Sequence, residues 1–136
     1  MHPSLPVKTT RELIAFVKAR PSEINFASAG TGSEVHLATE LFLYMTNIKM
    51  NHIPYKGTWP ALTDTIAGQT EPDIRHHLDD VADRLRAIAV TTAQRVATEP
   101  NIPTVAESGV PGYESSGWYG MLVTGGTPKP RLAKLH

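Results

Sequence analysis

Apolar positions along the chain change period several times, and each change marks an element. Leu13, Ile14 and Val17 recur at helical spacing. Thr9-x-x-Glu12 precedes them as a capping box, in which hydroxyl and carboxylate satisfy free amides of the first turn. Pro21 marks the stop. Ile24 to Ser28 is a short strand candidate. Ala29-Gly30-Thr31-Gly32 reads as a turn, and Ser33 can cap the next helix. That helix is predicted to run to about Thr46, with Val35, Leu37, Ala38, Leu41, Phe42 and Met45 facing inward. Met50 to Tyr55 reads as a second strand. Pro60 to Ala67 is a short helix, and Gly68 suits its C-terminal left-handed position.

The second half is less regular. Pro72 fits a first helical turn. Ile74, Leu78, Val81 and Leu85 then form one apolar stripe, which predicts a helix from about Asp73 to Arg84. Arg86 to Val90 reads as a buried strand. Pro100, Pro103, Pro111 and Gly112 break up a loop region with one helical turn near Val105. Trp118 to Val123 is a last strand candidate, and Thr127-Pro128-Lys129-Pro130 opens another helix. Strands alternating with helices predict an α/β domain with a mainly parallel sheet flanked by helices. At 136 residues, one compact domain is expected.

Composition narrows the function classes. Thirteen Lys+Arg balance thirteen Asp+Glu, so the chain has no general pull toward nucleic acid or an anionic membrane. There is no cysteine, which excludes disulfides, thiolate nucleophiles and Cys-based zinc sites. No apolar run approaches a membrane span. The N-terminus lacks a basic region followed by an apolar stretch, so no signal peptide is expected on this chain.

The segment from Phe26 to Leu37 carries the most chemistry: a strand, a Gly-rich turn and a helix start. Gly30 and Gly32 let the backbone turn sharply and approach a ligand. Free amides at the helix start, with its dipole, favour a carboxylate or phosphate. The same residues also read as a tight connection with a capping Ser. No Gly-Lys-Ser/Thr follows, so this is not a Walker loop, and the third Gly of a dinucleotide fingerprint is missing. Ser33 and His36 share a helix face, as a nucleophile and base could, but a cap role already explains Ser33. His76 and Asp80 could share a metal by spacing. They also form the polar face of an amphipathic helix, and no metal is expected there. Tyr55-Lys56-Gly57 ends the second strand, where open α/β sheets form their ligand crevice. Trp59 and Trp118 read as packing residues.

Several runs together resemble a known family. They are His2 to Thr9, the Ser-x-Gly-x-Gly-Ser-x-x-His-Leu run from Ser28 to Leu37, Ile53 to Gly57, Leu62-Thr63-Asp64, and Ala67-Gly68-Gln69. Leu85 to Val90, Pro103 to Tyr113 and Gly125-x-Thr127-Pro128-Lys129-Pro130 complete the set. In order and spacing they look like the Bug receptors, the extracytoplasmic solute-binding proteins of tripartite tricarboxylate transporters. The resemblance covers nearly the whole chain.

That resemblance implies a periplasmic-binding-protein-like fold of type 2, with two lobes closing on a carboxylate or similar solute. Residues 1–117 would form the second, inserted lobe. Residues 118–136 would form the returning strand and the start of a first-lobe helix. The parent would be periplasmic, with the first lobe and signal peptide outside this chain. Ser28, Gly30, Thr31, Gly32 and Ser33 map onto the family's ligand loop, with His36, Tyr55, Lys56 and Gly57 nearby. Neither a cofactor nor a catalytic residue is implied. The partners would be the solute and membrane permease subunits, and no nucleic acid. One departure stands out: Thr70-Glu71-Pro72-Asp73 replaces a family strand, and Pro is disfavoured inside one. A sensor of the same fold, or a hydrolase using Ser33, are the rival readings. Apolar surface near Trp118, Tyr119, Met121 and Leu122 would favour a homodimer or domain swap.

Overall fold

The computed structural model of the protein describes residues 1–67, 85–120 and 122–132. Its elements are α1 (Thr10–Ala19), β1 (Asn25–Ser28), α2 (Glu34–Thr46), β2 (Asn51–Pro54), α3 (Thr58–Ile66) and α4 (Lys129–Leu132). The expected helix over Asp73 to Arg84, the Gly68 cap and the His76–Asp80 pair lie outside the described residues.

Helix starts follow the capping residues. Thr9 caps α1, its Oγ1 accepting from the Glu12 amide at 3.2 Å. The Glu12 carboxylate reaches back one residue beyond the cap and accepts from the Lys8 amide at 2.6 Å. Ser33 caps α2, accepting from the His36 amide at 3.3 Å. α2 ends at Asn47, whose φ of 52° is the left-handed closure an Asn tolerates. α3 starts directly after Gly57. Pro60 falls in its first turn, where a missing N–H costs no helical bond.

β1 and β2 pair in parallel, with Phe26 opposite His52 and Ala27 opposite Ile53. β1 is the more enclosed strand: Phe26, Ala27 and Ser28 are all buried. α2 connects the two strands, as a parallel pair requires. The core gathers Val7, Leu13, Val17, Phe26, Phe42, Val105, Val110 and Tyr113 around this unit. Tyr113 stands edge-on to Phe42 with ring centroids 6.1 Å apart, and its hydroxyl donates to the Ala38 carbonyl at 2.9 Å. Burial pushes the Tyr113 phenol up to about 12, so it stays a donor.

Three sequence expectations are corrected. On α2, Val35, Ala38 and Phe42 are buried as expected, but Leu37, Leu41 and Met45 are exposed. The helix carries two apolar stripes, and only one can face the sheet. Thr39 and Leu43 complete the buried one. Thr39 enters because its hydroxyl donates to the Val35 carbonyl at 2.8 Å, which settles its polar atom. Arg86 to Val90 forms no strand, only a single bridge from Val90 to Thr104. Its backbone groups are drawn to two different partners. Arg86 exchanges bonds with Met1 at 2.7 and 2.9 Å, whereas Val90 bonds Pro103 and Val105. Among the described residues of Trp118 to Val123 no ladder forms, and Trp118, Tyr119 and Leu122 are exposed. A strand is defined by its paired neighbour, and these residues have none among the described ones.

The expected turn near Val105 is present and has a reciprocal cap. Thr104 Oγ1 accepts from the Glu107 amide and Glu107 Oε2 from the Thr104 amide, both at 3.0 Å. Arg95 adds an ion pair to the same carboxylate at 2.8 Å, and these contacts hold Glu107 below the usual carboxylate range.

Two buried hydroxyls predict stability changes of opposite sign. Tyr113→Phe keeps the ring but removes the donor to Ala38, and should cost about 1 kcal/mol. The Thr10 hydroxyl is buried with no hydrogen-bond partner among the described residues. Thr10→Val should therefore be neutral or stabilise by up to about 1 kcal/mol. Urea unfolding of both variants checks the pair, and a loss in Thr10→Val would contradict the assignment.

Candidate functional site

Parallel pairing places the ends of β1 and β2 side by side, and the two loops that leave them continue in register. The Tyr55 amide donates to Ser28 at 3.0 Å, and the Gly57 amide to Ala29 at 3.1 Å. The structure thus joins two segments singled out separately in the sequence, Ser28 to Ser33 and Tyr55 to Gly57. They lie at the carboxyl edge of the parallel pair, against the first turn of α2. That is where open α/β sheets place ligand crevices.

Backbone shape at this edge depends on glycine. Gly30 has φ 134°, Gly32 φ 79° and Gly57 φ 120°. At Gly30 there is a second constraint, because a Cβ would approach the Tyr55 carbonyl oxygen to 3.2 Å. At Gly32 the space is open. A side chain at residue 30 would press on that carbonyl and require the Tyr55 loop to give way.

The buried Ser28 hydroxyl organises the turn. It accepts from the Gly30 amide and donates to the Gly30 carbonyl, both at 3.1 Å. His52 Nε2 lies 2.6 Å from the same oxygen. A hydroxyl has one proton, so with Gly30 as its acceptor the His52 ring is assigned as donor. Phe26, His52 and His36 form a stack. Centroids are 4.9 Å apart for Phe26–His52 and 4.1 Å for His36–His52, with the two imidazoles 19° from parallel. Burial first, and then the neighbouring His36, lower the His52 pKa from its ordinary value, with Glu40 opposing.

His36 closes the loop onto the helix. The Gly32 amide donates to His36 Nδ1 at 3.0 Å, and Glu40 lies 3.8 Å from the other ring nitrogen. Ser33 Oγ is occupied by the His36 backbone amide rather than by its ring. Of the four amides from Gly30 to Ser33, three are used inside the protein: Gly30 by Ser28, Gly32 by His36, and Ser33 by the Gly30 carbonyl. Among the described residues, the Thr31 and Val35 amides have no protein acceptor. Three of the four amides on which the sequence expectation of an anion cradle rested are thus occupied within the protein.

Lys56 is exposed beside the loop. Tyr55 turns its hydroxyl toward α3, donating to Asp64 at 2.8 Å. His52 and Asp64 were not picked out as site residues from the sequence. His52 could have been found, since alternation along β2 puts it on the face that β1 fills with Phe26 and Ser28. Asp64 had no such signal, because its link to Tyr55 depends on how α3 packs.

A parallel β-α-β unit with its Gly-rich loop at the strand ends marks an α/β domain, and comparison with known proteins specifies the kind. The family profile described as "Tripartite tricarboxylate transporter family receptor" matches residues 1–136, and the chain belongs to that family. BugT of Bordetella pertussis is 38% identical over 139 residues, covering 99% of this chain and 43% of that protein. A UPF0065 protein of Pseudomonas sp. strain P51 is 35% identical over 130 residues, covering 92% of this chain and 39% of its own length. Among solved structures, R. palustris Rpa4515 with adipate superposes with a TM-score of 0.92 at 37% identity, covering 98% of this chain and 46% of that one. The periplasmic binding protein BugD gives 0.82 at 34% identity, covering 97% and 46%. MatC from Rhodopseudomonas palustris with bound malate gives 0.83 at 28% identity, covering 98% and 47%. The chain thus spans less than half the length of these relatives. The periplasmic-binding-protein-like fold and the Bug-type resemblance expected from the sequence are both borne out.

The site predicts two stability patterns. Gly30→Ala adds both an unfavourable φ and a close approach to Tyr55, whereas Gly32→Ala adds only the former. Gly32→Ala should cost about 1 kcal/mol and Gly30→Ala clearly more. Equal midpoints in thermal unfolding would contradict the close approach. His52 carries the second pattern. With its folded pKa below the ordinary value, the unfolded state binds more protons under acid. The stability it contributes is present above about pH 6.5 and is lost as pH falls toward the lower folded value. The thermal midpoint should fall between about pH 7.5 and pH 5, and less steeply in His52→Phe.

Proposed function

We propose that the chain is the second lobe of an extracytoplasmic receptor that captures a small carboxylate-containing solute for a tripartite tricarboxylate-type transporter. The observation that carries this reading is the pairing of the Ser28–Ser33 and Tyr55–Gly57 loops at the strand ends. Thr31 and Val35 there offer amide donors at a helix start, and Lys56 stands beside them. Relatives of the same fold hold adipate and malate, both dicarboxylates. The solute would be gripped between this lobe, residues 1–117, and a second one, with residues 118–136 returning toward it. Hinge closure would then present the complex to membrane permease subunits in the periplasm. The reading is one of binding without turnover: the Ser33 hydroxyl is committed to capping α2, and the His36 ring nitrogen to the Gly32 amide.

Calorimetric titration with adipate and malate, beside a neutral diamide of matching length, tests the proposal. Saturable heat is expected from the dicarboxylates and none from the diamide. Lys56→Ala should weaken affinity by about two- to fivefold, as suits an exposed charge. Binding of the diamide as tight as adipate would overturn the carboxylate assignment, and release of a modified product would overturn the receptor assignment. The exposed Trp118, Tyr119 and Leu122 further favour self-association of the isolated chain. Light scattering across a wide concentration range should report a dimer, and a persistent monomer would refute it.

A further inference from the structure

His36 occupies an unusual position for a residue of a binding loop. Its ring is the acceptor for the Gly32 amide at 3.0 Å, and the same ring stacks on His52 at 4.1 Å. His52 in turn sits 2.6 Å from Ser28, whose hydroxyl holds both polar groups of Gly30. Two imidazoles therefore grip both glycines that shape the loop. A neutral imidazole can accept through Nδ1, but an imidazolium has donors at both nitrogens. Protonation of His36 would leave the Gly32 amide without its acceptor and set a cation against the His52 ring. We propose that the stacked pair His36–His52 is a proton-released clamp on the Ala29–Ser33 loop, holding it in binding shape when neutral and freeing it when protonated.

The charged surroundings set the direction. Glu40, on α2, lies 3.8 Å from His36 Nε2 and also acts on His52. It is the carboxylate that a charged His36 ring would face. Glu34, on the same helix, lies against Gly117, where a Cβ would overlap its carboxylate. β1 brings Phe26 and Ser28 to the stack, neither of them charged, and β2 brings His52 itself. α3 brings Asp64, which is bonded to Tyr55, and Lys56 is exposed at the loop. A cationic His36 could by itself attract a carboxylate, which would strengthen binding in acid. With Glu40 beside the ring that attraction is offset, and loss of the Gly32 contact governs. Affinity for a carboxylate should then fall as pH falls.

The clamp and the carboxylate reading of the site can fail separately, so the test has two readouts on the same chain. The first needs no ligand. Hydrogen-exchange protection of the Gly32 amide, followed by NMR, should be present near pH 7.5 and largely lost near pH 5. His36→Asn places an uncharged acceptor oxygen near the Nδ1 position and should keep protection at both pH values. His36→Phe keeps a stacking ring without an acceptor and should lose it at both. Unchanged protection in His36→Phe, or a pH dependence that persists in His36→Asn, overturns the clamp. The second readout is adipate titration and rests on the proposed function. Affinity should drop about tenfold between the same pH values in the unsubstituted protein, the size expected when one such amide loses its acceptor, and stay level in His36→Asn. Tighter adipate binding in acid overturns the proposal. No adipate binding at either pH counts against the carboxylate reading, and the Gly32 amide still decides the clamp.

Discussion

The parallel pairing of β1 with β2 is the constraint on which the rest of this structure depends. Its register sets Phe26 opposite His52 and carries on past the strands to bring Ala29 against Gly57. Four residues per strand make a small ladder. It holds because helices pack on it: α2 and α3 each contact β1, and Phe26, Ala27 and Ser28 are sealed from solvent. Shifting β2 by one residue would turn His52 to the opposite face and bring Ile53 to the stack. Both loops of the candidate site would then lose their common edge. The site is thus a consequence of sheet register first and of loop chemistry second.

The loop itself is more self-contained than a bare helix start. Most of its amides are spent on holding its shape, through Ser28, His36 and the Gly30 carbonyl. Spending donors this way has a physical return. A Gly-rich loop loses much conformational entropy on ordering, and a loop ordered beforehand does not charge that loss to the ligand. The donors that remain, at Thr31 and Val35, are few among the described residues.

How much of this was legible in the sequence varies by element, for identifiable reasons. The caps at Thr9 and Ser33 and the helices α1, α2 and α3 were readable, because each rests on contacts within a few residues; β1 and β2 were readable from their apolar residues and flanking turns, although their pairing joins positions distant in the chain. So was the co-location of Ser28–Ser33 with Tyr55–Gly57, through the general behaviour of parallel sheets. The inward face of α2 was half right, since its two apolar stripes compete and only packing on the rest of the chain selects one; the bond from Thr39 to the Val35 carbonyl lets a hydroxyl be buried in it. Arg86 to Val90 and Trp118 to Val123 have strand-like composition but, among the described residues, form no ladder beyond the single Val90–Thr104 bridge.

By itself, then, the sequence determined the local elements, the glycine positions, the family and the residues from which a site would be drawn. Short-range capping, periodicity and positive-φ requirements act within one turn or one strand, so they are written in adjacent residues. Tertiary structure alone decided which loop amides remain open, which stripe of α2 is buried, and that His52 and His36 meet face to face. Those outcomes depend on groups distant in the chain: residues 28 and 52 share a hydrogen bond across 24 positions, and Tyr113 reaches Ala38 across 75. No pattern in one segment can encode such a meeting, because each depends on the register and packing of another.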